Sequence, residues 1–468
     1  MTKQYDVCVI GLGPAGMAVS VMASHMGLRV LGIEQRALGG ECMSFGCIPS
    51  KALLRAAAAR HGQGRLGLYG LEPGPAPRVE DPLQLVRRHV QFIRDKKTQA
   101  LFDRVDLKLG EGAASFVDDR TIAVGGTAYT AKRIFVCVGS QPAVPAIPGI
   151  RDVPYLTNET LFSLAKVPES LVIIGGGAIG CEMAQAFARL GARTSIVHMD
   201  AHLLPHGDSD AGKLLENVFR EEGIEIHNHR ALRSVAGDEG RIIVRTDHGE
   251  TLVGEKLLVA AGRQPNLSSL ALERAGIDHN KEGILVDPRL RTSRRRIYAA
   301  GDCIGWQLFS HAAMHQGMLA LLNAILPRPL ARNARRYVVP WAVFTDPPVA
   351  HVGRLERDLQ ATGVDYEVIE ERYEDYGAAI AEGVAVGSVR AYVSPTGRIY
   401  GVRIIGEGAP EMINEWGLAV QERLRMHRVL FLQHAFPSMS FLNKRVSEGW
   451  MSRRMAHPAL RRVVRWLF

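Results

Sequence analysis

Cysteine is scarce in this sequence, with six residues in 468. So few cysteines in so long a chain exclude a disulfide-rich secreted scaffold, and a reducing, cytoplasmic location is expected. Four of them stand singly in apolar or glycine-rich surroundings and are predicted to pack in the core: Cys8, Cys137, Cys181 and Cys303. The other two, Cys42 and Cys47, lie close together.

Long apolar runs are also missing, and none could cross a bilayer as a helix. The N-terminus lacks the basic, apolar and small-residue order of a secretory signal. Hydrophobic residues make up 47% of the chain and glycine contributes 48 residues, which is typical of a soluble α/β enzyme with many tight strand-to-helix turns.

Acidic residues are nearly absent from the C-terminal end. From residue 441 onward, seven Lys and Arg residues face Glu448 alone, so seven minus one gives +6 of the formal net charge of +9. A nucleic-acid-binding surface is therefore not implied, but a basic tail is.

Two stretches share an apolar run, a glycine-rich turn and a helical pattern. Their turn glycines are Gly11, Gly13 and Gly16 in GLGPAG, and Gly175, Gly177 and Gly180 in GGGAIG. Such turns let backbone N–H groups approach a pyrophosphate at a helix N-terminus. Glu34, at the end of the next strand, is placed to accept ribose hydroxyls. Two dinucleotide-binding domains are predicted.

The stretch GGECMSFGCIPSK contains the close cysteine pair. Cysteines separated by four residues can close a small disulfide loop at the start of a helix, where Pro49 is tolerated. The positive end of the helix dipole lowers a thiol pKa there. The rival readings are two core cysteines or a metal pair. No second Cys/His pair lies nearby, so no metal is predicted.

This stretch resembles the signature of the class I flavoprotein (pyridine nucleotide) disulfide oxidoreductases, which include lipoamide dehydrogenase and mercuric reductase. The resemblance extends to about Ser440. It implies FAD and NAD(P)H as cofactors and a homodimer. Cys42 would be the interchange thiol and Cys47 the thiol beside the flavin, with Lys51 paired to Glu182 at the same place.

By the same resemblance, Asp302 would bind the ribityl chain of the flavin, and Ser310 with its neighbour His311 would lie beside it. Ala114, Ser140 and Gly262 are also predicted to bind the cofactors. In the second nucleotide domain, family members that prefer NAD have an acid where this chain has His198, and those that prefer NADP have arginines nearby. An imidazole fits neither pattern. Gly180 slightly favours NADH, and the coenzyme preference stays open.

The predicted fold class is α/β, with two Rossmann-like dinucleotide-binding domains and a C-terminal α+β dimerisation domain. The predicted limits are 1–155 with 265–335 for the FAD domain, 156–264 for the NAD(P) domain and 336–468 for the dimerisation domain. A long charged helix is expected at about residues 83–104, and a Pro/Arg linker at 326–340.

The family pattern fails in one place. Most members that act on disulfides carry HPTxSE, whose His and Glu serve the exchange thiol across the dimer interface, and the aligned stretch here is FPSMSF. Phe436 and Phe441 cannot transfer a proton, a step worth about 10²–10⁴-fold. His434 could substitute, the acceptor could need no proton, or an apolar pocket could exclude protons. Metal-ion reduction is disfavoured, because no cysteine follows Cys303.

The predicted function is an NAD(P)H-dependent flavoprotein oxidoreductase. Electrons would pass through Cys42 and Cys47 to a disulfide, a dithiol or another small acceptor, without the usual His. The alternatives are a membrane-associated quinone or metal-ion reductase and, in a different class, a non-enzymatic flavoprotein sensor or scaffold.

The C-terminal tail has an amphipathic pattern. Leu460, Val463, Val464, Leu467 and Phe468 fall on one side of a helix, and Arg461, Arg462 and Arg465 mostly on another, with Trp466 at the boundary. Two readings stay open: peripheral contact with an acidic membrane, or packing across the subunit interface.

Overall fold

A computed structural model describes residues 4–72 and 74–468. The first part of the chain contains β1 (Gln4–Ile10), α1 (Pro14–His25), β2 (Val30–Glu34), α2 (Gly40–Ser44), α3 (Cys47–Gly64), α4 (Pro82–Ile93), β3 (Asp106–Leu109), β4 (Ser115–Phe116), β5 (Thr121–Val124), β6 (Thr127–Val136) and β7 (Ser140–Pro142). The middle part contains α5 (Asn158–Leu161), β8 (Ser170–Ile174), α6 (Ala178–Arg189), β9 (Arg193–Val197), α7 (Ser209–Glu221), β10 (Glu225–His227), β11 (Leu232–Asp238), β12 (Arg241–Thr246), β13 (Thr251–Gly254), β14 (Lys256–Val259) and β15 (Arg263–Pro265).

The remaining part begins with α8 (Leu272–Ala275), β16 (His279–Asn280), β17 (Gly283–Ile284), β18 (Ile297–Ala299) and α9 (Ser310–Ile325). It continues with β19 (Trp341–Val343), β20 (Val349–Gly353), α10 (Glu356–Ala361), β21 (Glu367–Arg372), α11 (Gly377–Ala381), β22 (Ser388–Val393), β23 (Ile399–Ile405), α12 (Ala409–Gln421), α13 (Met426–Leu430), α14 (Phe441–Met455) and α15 (Pro458–Leu467).

The first sheet has the order β3-β2-β1-β6-β5-β4, and β18 also pairs with β6. Strand β18 lies far along the chain, so the first sheet contains strands from both sides of the middle segment. The pairs of β1 with β2 and β6 are parallel. A Cβ added at Gly16 would lie 1.8 Å from the carbonyl oxygen of Gly11. Glycine at this position therefore lets α1 pack closely against the turn that follows β1.

The second nucleotide-type sheet has the order β10-β9-β8-β14, and its three strand pairs are parallel. Beside it lies a three-stranded antiparallel sheet, β11-β12-β13. The chain runs from the first sheet to the second and later returns. These two connecting segments pair with each other as the short antiparallel strands β7 and β15.

The C-terminal sheet is antiparallel in the order β19-β20-β23-β22-β21. Its apolar face packs with α12, α13 and α14, and the indole of Trp416 is fully buried there. The last helix, α15, contributes no buried residue.

The predicted α/β fold class is confirmed, with one mixed and one parallel nucleotide-type sheet and a C-terminal α+β unit. The exact domain limits stay predictions. The expected charged helix is interrupted: α4 ends at Ile93, and a π-helical turn follows at Arg94–Thr98. The hydroxyl of Thr98 donates to the carbonyl of Ile93 at 3.2 Å, which ties down the backbone group that a continued helix would use. No helix among the described residues is long and apolar enough to cross a membrane.

Candidate active site

One continuous cleft of about 1580 Å³ connects the two glycine-rich turns with the cysteine pair. The predicted site residues that line it are Gly11, Gly13, Glu34, Cys42, Cys47, Lys51, Ala114, Ser140, Gly175, Gly177, Glu182, His198, Gly262, Asp302, Ser310 and His311. Gly16 and Gly180 lie behind their turns, where they permit close packing. The fold thus gathers segments from distant parts of the sequence into one site.

The cysteine pair lies at the junction of two helices. Cys42 is in α2, and Cys47 is the first residue of α3, whose N-cap residue Gly46 provides no side-chain hydrogen bond. The Sγ atom of Cys47 is 3.3 Å from the hydroxyl of Ser310, at the start of α9. The helix dipole and this hydroxyl both favour a thiolate at Cys47.

The pKa values of the two cysteine thiols shift in opposite directions. A hydrogen bond from Cys42 is the largest influence that lowers the pKa of Cys47, and Ser310 and the charge of Lys51 lower it further, against the opposing effect of burial. The same bond, followed by burial, raises the pKa of Cys42. The reduced pair therefore holds its thiolate on Cys47 and its proton on Cys42.

Lys51 and Glu182 form an ion pair beside the cysteines. The ammonium Nζ lies 2.7 Å and 3.0 Å from the two carboxylate oxygens, and the Glu182 side chain is 6% exposed. The backbone N–H of Phe344 donates to the same carboxylate at 3.0 Å, and Nζ lies 4.4 Å from the Phe344 ring centroid. A buried carboxylate with this many donors holds the lysine in a fixed position at the edge of the cleft.

A second polar network, which the sequence did not reveal, fixes the cysteine loop from the other side. Glu41 accepts two hydrogen bonds from the guanidinium of Arg263 and one from the amide of Asn158. Arg263 also donates to the Ser140 hydroxyl at 2.8 Å, which in turn donates to Asp302 at 2.7 Å. The predicted residues Ser140 and Asp302 are thereby connected to the residue before Cys42.

Two helices begin at the ends of the cleft where nucleotides are expected to bind, and neither has a side-chain cap at its N-terminus. The N-cap residues of α1 and α6, Gly13 and Gly177, provide no side-chain hydrogen bond to the first helical turn. The unpaired N–H groups of those turns are suited to a phosphate. Glu34 accepts the backbone N–H groups of Leu12 at 2.8 Å and Arg36 at 2.9 Å, and its carboxylate can accept further bonds.

His198 follows directly after β9 and lies against the second turn. Its ring carbons are 3.0 Å from the position that a Cβ on Gly176 would occupy. Nε2 is 2.7 Å from the amide oxygen of Asn228, and Nδ1, which has no hydrogen-bond partner in the part of the chain described, is 3.8 Å from Asp200. The structure therefore places His198 between the second glycine-rich turn and Asn228, and the coenzyme preference stays open.

The sequence matches two family models. Residues 5–317 match the pyridine nucleotide-disulphide oxidoreductase model, and residues 339–445 match the dimerisation domain of the same group. The chain belongs to the pyridine nucleotide-disulphide oxidoreductase family. The predicted recognition and the predicted enzyme class are confirmed, which favours an enzyme over a non-enzymatic scaffold. The match to the dimerisation domain supports a homodimer.

Several members of the family are similar to most of this chain. A mercuric reductase of Acidithiobacillus ferrooxidans is 33% identical over 437 residues, which cover 91% of this chain and 79% of the relative. A dihydrolipoyl dehydrogenase of Bacillus subtilis is 33% identical over 417 residues, covering 87% and 90%. The HOCl-induced flavoprotein disulfide reductase RclA from Escherichia coli superposes with a TM-score of 0.85 at 28% identity, over 96% of this chain and 99% of RclA.

Membership in the oxidoreductase family implies the use of FAD and NAD(P)H, and the cleft fits both. The uncapped helix starts, Glu34 and the small residues Ala114 and Gly262 provide the phosphate, ribose and close-contact groups that dinucleotides need. In the part of the chain described, no group of three or more His, Cys, Asp or Glu residues could hold a metal ion.

The four single cysteines are buried, as predicted. Burial raises the pKa of the Cys8 and Cys303 thiols to about 12 each, so neither is a thiolate near neutral pH. Cys42 and Cys47, in contrast, are only partly buried, and they stay the predicted reactive thiols.

The C-terminal segment that differs from the family motif, residues 436–441, contains two aromatic side chains that contact each other. Phe436 is 73% exposed, and its ring meets that of Phe441 edge to face at 5.3 Å between centroids. His434 is held within its own domain: Nε2 is 3.1 Å from both oxygens of Glu415, and Nδ1 is 3.3 Å from the carbonyl oxygen of Leu432. Both ring nitrogens are therefore engaged, which argues against His434 as the substitute acid/base.

Proposed function

We propose that this oxidoreductase uses NAD(P)H to reduce a thiophilic metal ion, with Cu(II) as the representative substrate, through the Cys42–Cys47 pair. When bound, FAD supplies the relay that accepts a hydride from NAD(P)H and passes on an electron pair. The chain itself provides the reactive dithiol, the Lys51–Glu182 pair that supports it, and the cleft that holds both nucleotides.

The observation that carries this proposal is the absence of a proton-transferring side chain at the family's acid/base position. Phe436 and Phe441 are apolar, and both nitrogens of His434 are engaged by Glu415 and Leu432. By the resemblance, this segment lies across the dimer interface against the partner's cysteine pair. An acceptor that needs a proton from the protein is poorly served there.

Metal-ion reduction needs no such proton. A thiol that binds a metal ion loses its proton on coordination, so the Cys42 proton passes to solvent without a protein base. The two thiolates then give one electron to each of two Cu(II) ions, which yields two Cu(I) ions and re-forms the Cys42–Cys47 disulfide. An organic disulfide, in contrast, releases two thiolates that must be protonated.

Similar proteins support a metal-ion substrate. Several relatives at 31–33% identity are named mercuric reductases. RclA has also been solved as a Cu(II) complex, which superposes with a TM-score of 0.85. Soft thiolate ligands favour thiophilic ions such as Cu(I), and oxidation of the pair to the disulfide removes those ligands, so the reduced ion is released. Because Cys42 and Cys47 supply both the ligands and the electrons, this proposal needs no C-terminal cysteine pair.

The test compares two acceptors under anaerobic conditions. We expect the wild-type holoenzyme to oxidise NADH or NADPH when Cu(II) is added, and to do so at least about 100-fold more slowly with lipoamide, the size of a missing acid/base step. Cys42→Ser should abolish the Cu(II)-dependent rate. The measurement is absorbance of the reduced nicotinamide, with Cu(I) trapped by a chromogenic chelator.

A matched variant separates the acceptor classes. Phe436→His combined with Phe441→Glu restores the family's proton-transferring pair, and we expect it to increase turnover with lipoamide while leaving the Cu(II) rate nearly unchanged. Fast lipoamide reduction by the wild type, or Cu(II) reduction that persists in Cys42→Ser, would show that the proposed acceptor chemistry is wrong.

A further inference from the structure

The last helix of the chain, α15 (Pro458–Leu467), stands apart from the rest of the protein. None of its residues is buried, and the match to the family's dimerisation domain ends at residue 445. Trp466 is 83% exposed, Leu467 66% and Val463 52%. An apolar side chain left exposed on this scale needs a partner that the described residues of a single chain do not provide.

The two faces of α15 are sharply segregated. At about 100° per residue, the three arginines (Arg461, Arg462 and Arg465) fall within an arc of roughly 100°. The apolar residues (Leu460, Val463, Val464 and Leu467) are centred on the opposite side within a similar arc, and Trp466 lies at the boundary between the two. The helix contains no Asp or Glu.

We propose that α15 binds the surface of an anionic lipid bilayer. Its apolar face would enter the boundary between headgroups and acyl chains, its arginines would meet the anionic headgroups, and Trp466 would lie at the interface between them. Charge complementarity favours this partner, because three arginines and no acidic residue in the helix match the negative charge of anionic headgroups.

The experiment is cosedimentation of the full-length holoenzyme with extruded vesicles, either pure phosphatidylcholine or phosphatidylcholine with 30–40% phosphatidylglycerol (about the anionic fraction needed for a strong surface potential). We expect binding to the anionic vesicles, little binding to the neutral ones, and a marked loss of binding between 0.05 M and about 0.5 M salt as the charges are screened.

Charge neutralisation in the tail should weaken binding strongly. Each arginine near an anionic surface contributes about 5-fold in affinity, so Arg461→Gln, Arg462→Gln and Arg465→Gln together should lower it about 100-fold. The matched control neutralises three exposed arginines elsewhere, Arg120, Arg274 and Arg328, and should keep nearly full binding. Both variants change the net charge equally.

Two results would overturn the proposal. The first is that the wild-type protein does not bind anionic vesicles, or that the triple-arginine tail variant binds them as strongly as the wild type. The second is a subunit role: if deleting the residues after Pro458 converts the dimer to a monomer in sedimentation velocity, the apolar face covers the partner subunit and not a lipid. Neither result bears on the acceptor assays, which read the Cys42–Cys47 pair.

Discussion

The Cys47 thiol receives stabilisation from groups in three separate segments. Cys42 is its neighbour in the loop, Ser310 starts α9, and Lys51 lies one turn further along α3. Because the hydrogen bond from Cys42 contributes most, the acidity of Cys47 depends on the reduced partner more than on the nearby ammonium. We therefore expect a Cys47 thiolate to be stabilised only while Cys42 is also reduced.

Two substitutions test whether Cys42 or Lys51 lowers the pKa of Cys47 more. Removing the Cys42 hydrogen bond with Cys42→Ala should raise the pKa of Cys47 strongly, and removing the charge with Lys51→Met should raise it less, since each change takes away support for the thiolate. Alkylation of the reduced enzyme by iodoacetamide, followed against pH, measures the shift: the reaction should begin at a higher pH in both variants.

Lys51→Arg keeps the positive charge and serves as the control, with an alkylation profile close to that of the wild type. Equal profiles in all four proteins would mean that neither Cys42 nor Lys51 sets the acidity of Cys47.

Among the individual site residues, the sequence predicted those that lie close together in one motif. Cys42, Cys47 and Lys51 lie within ten positions of one another. The spacing of the cysteines suggested a redox pair, whereas the separate roles of the two cysteines and of Lys51 came from the resemblance to the family. The Glu41–Arg263–Asn158 network could not be predicted in the same way, because Arg263 is 222 positions from Glu41 and only folding brings them together. Glu41 also occupies a spacer position inside the motif, where nothing marks it as functional.

The two glycine-rich turns place helix starts at the cleft, and different glycines do this for different reasons. A Cβ at Gly180 would lie 2.0 Å from the carbonyl oxygen of Gly175, whereas a Cβ at Gly177 would have no heavy atom within 4 Å. Gly180 therefore serves packing of α6 on the turn. Gly177 keeps a space open where the coenzyme phosphate can approach the backbone.

Variants at these two positions should fail in different ways. Gly180→Val must displace backbone and should destabilise the protein by about 1–3 kcal/mol, seen as a lower thermal midpoint by calorimetry. Gly177→Ala should keep the wild-type midpoint but bind NADH and NADPH at least about 10-fold more weakly, measured by titration calorimetry.

If Gly177→Ala bound both coenzymes normally, the space beside that turn would not be the phosphate site. If Gly180→Val melted like the wild type, the close approach of α6 to Gly175 would not be essential for folding.

Among the elements, those with strong local patterns were predictable. The first strands of both nucleotide-type sheets follow from short apolar runs that lead into glycines, as β1 and β8 show. The interruption after α4 was not predictable from helical periodicity, because it depends on a buried hydroxyl, that of Thr98. Strand β18 joins the first sheet through a long-range pairing that no local pattern encodes.

In the whole molecule, the proposed electron path and the proposed acceptor side have different origins. The cleft, the dithiol and the Lys51–Glu182 pair are arranged in one chain, whereas the acceptor side is expected to be completed by aromatic residues of a second subunit. The resemblance to the family predicted two dinucleotide-binding domains and a dimerisation domain. Comparison with the family motif also placed Phe436 where most members have His. The side-chain contacts of His434, which decide whether it is available, required the structure.

We propose that Cys42 and Cys47 carry electrons from the coenzyme, and a count of reactive thiols tests this most directly. The thiols are counted in the denatured holoenzyme before and after anaerobic reduction with NADH and, separately, NADPH. We expect reduction by the preferred coenzyme to add two thiols per subunit in the wild type and none in Cys42→Ser. An unchanged count in an enzyme that still reduces Cu(II) with NAD(P)H would contradict it, because the cysteines would then lie outside the electron path.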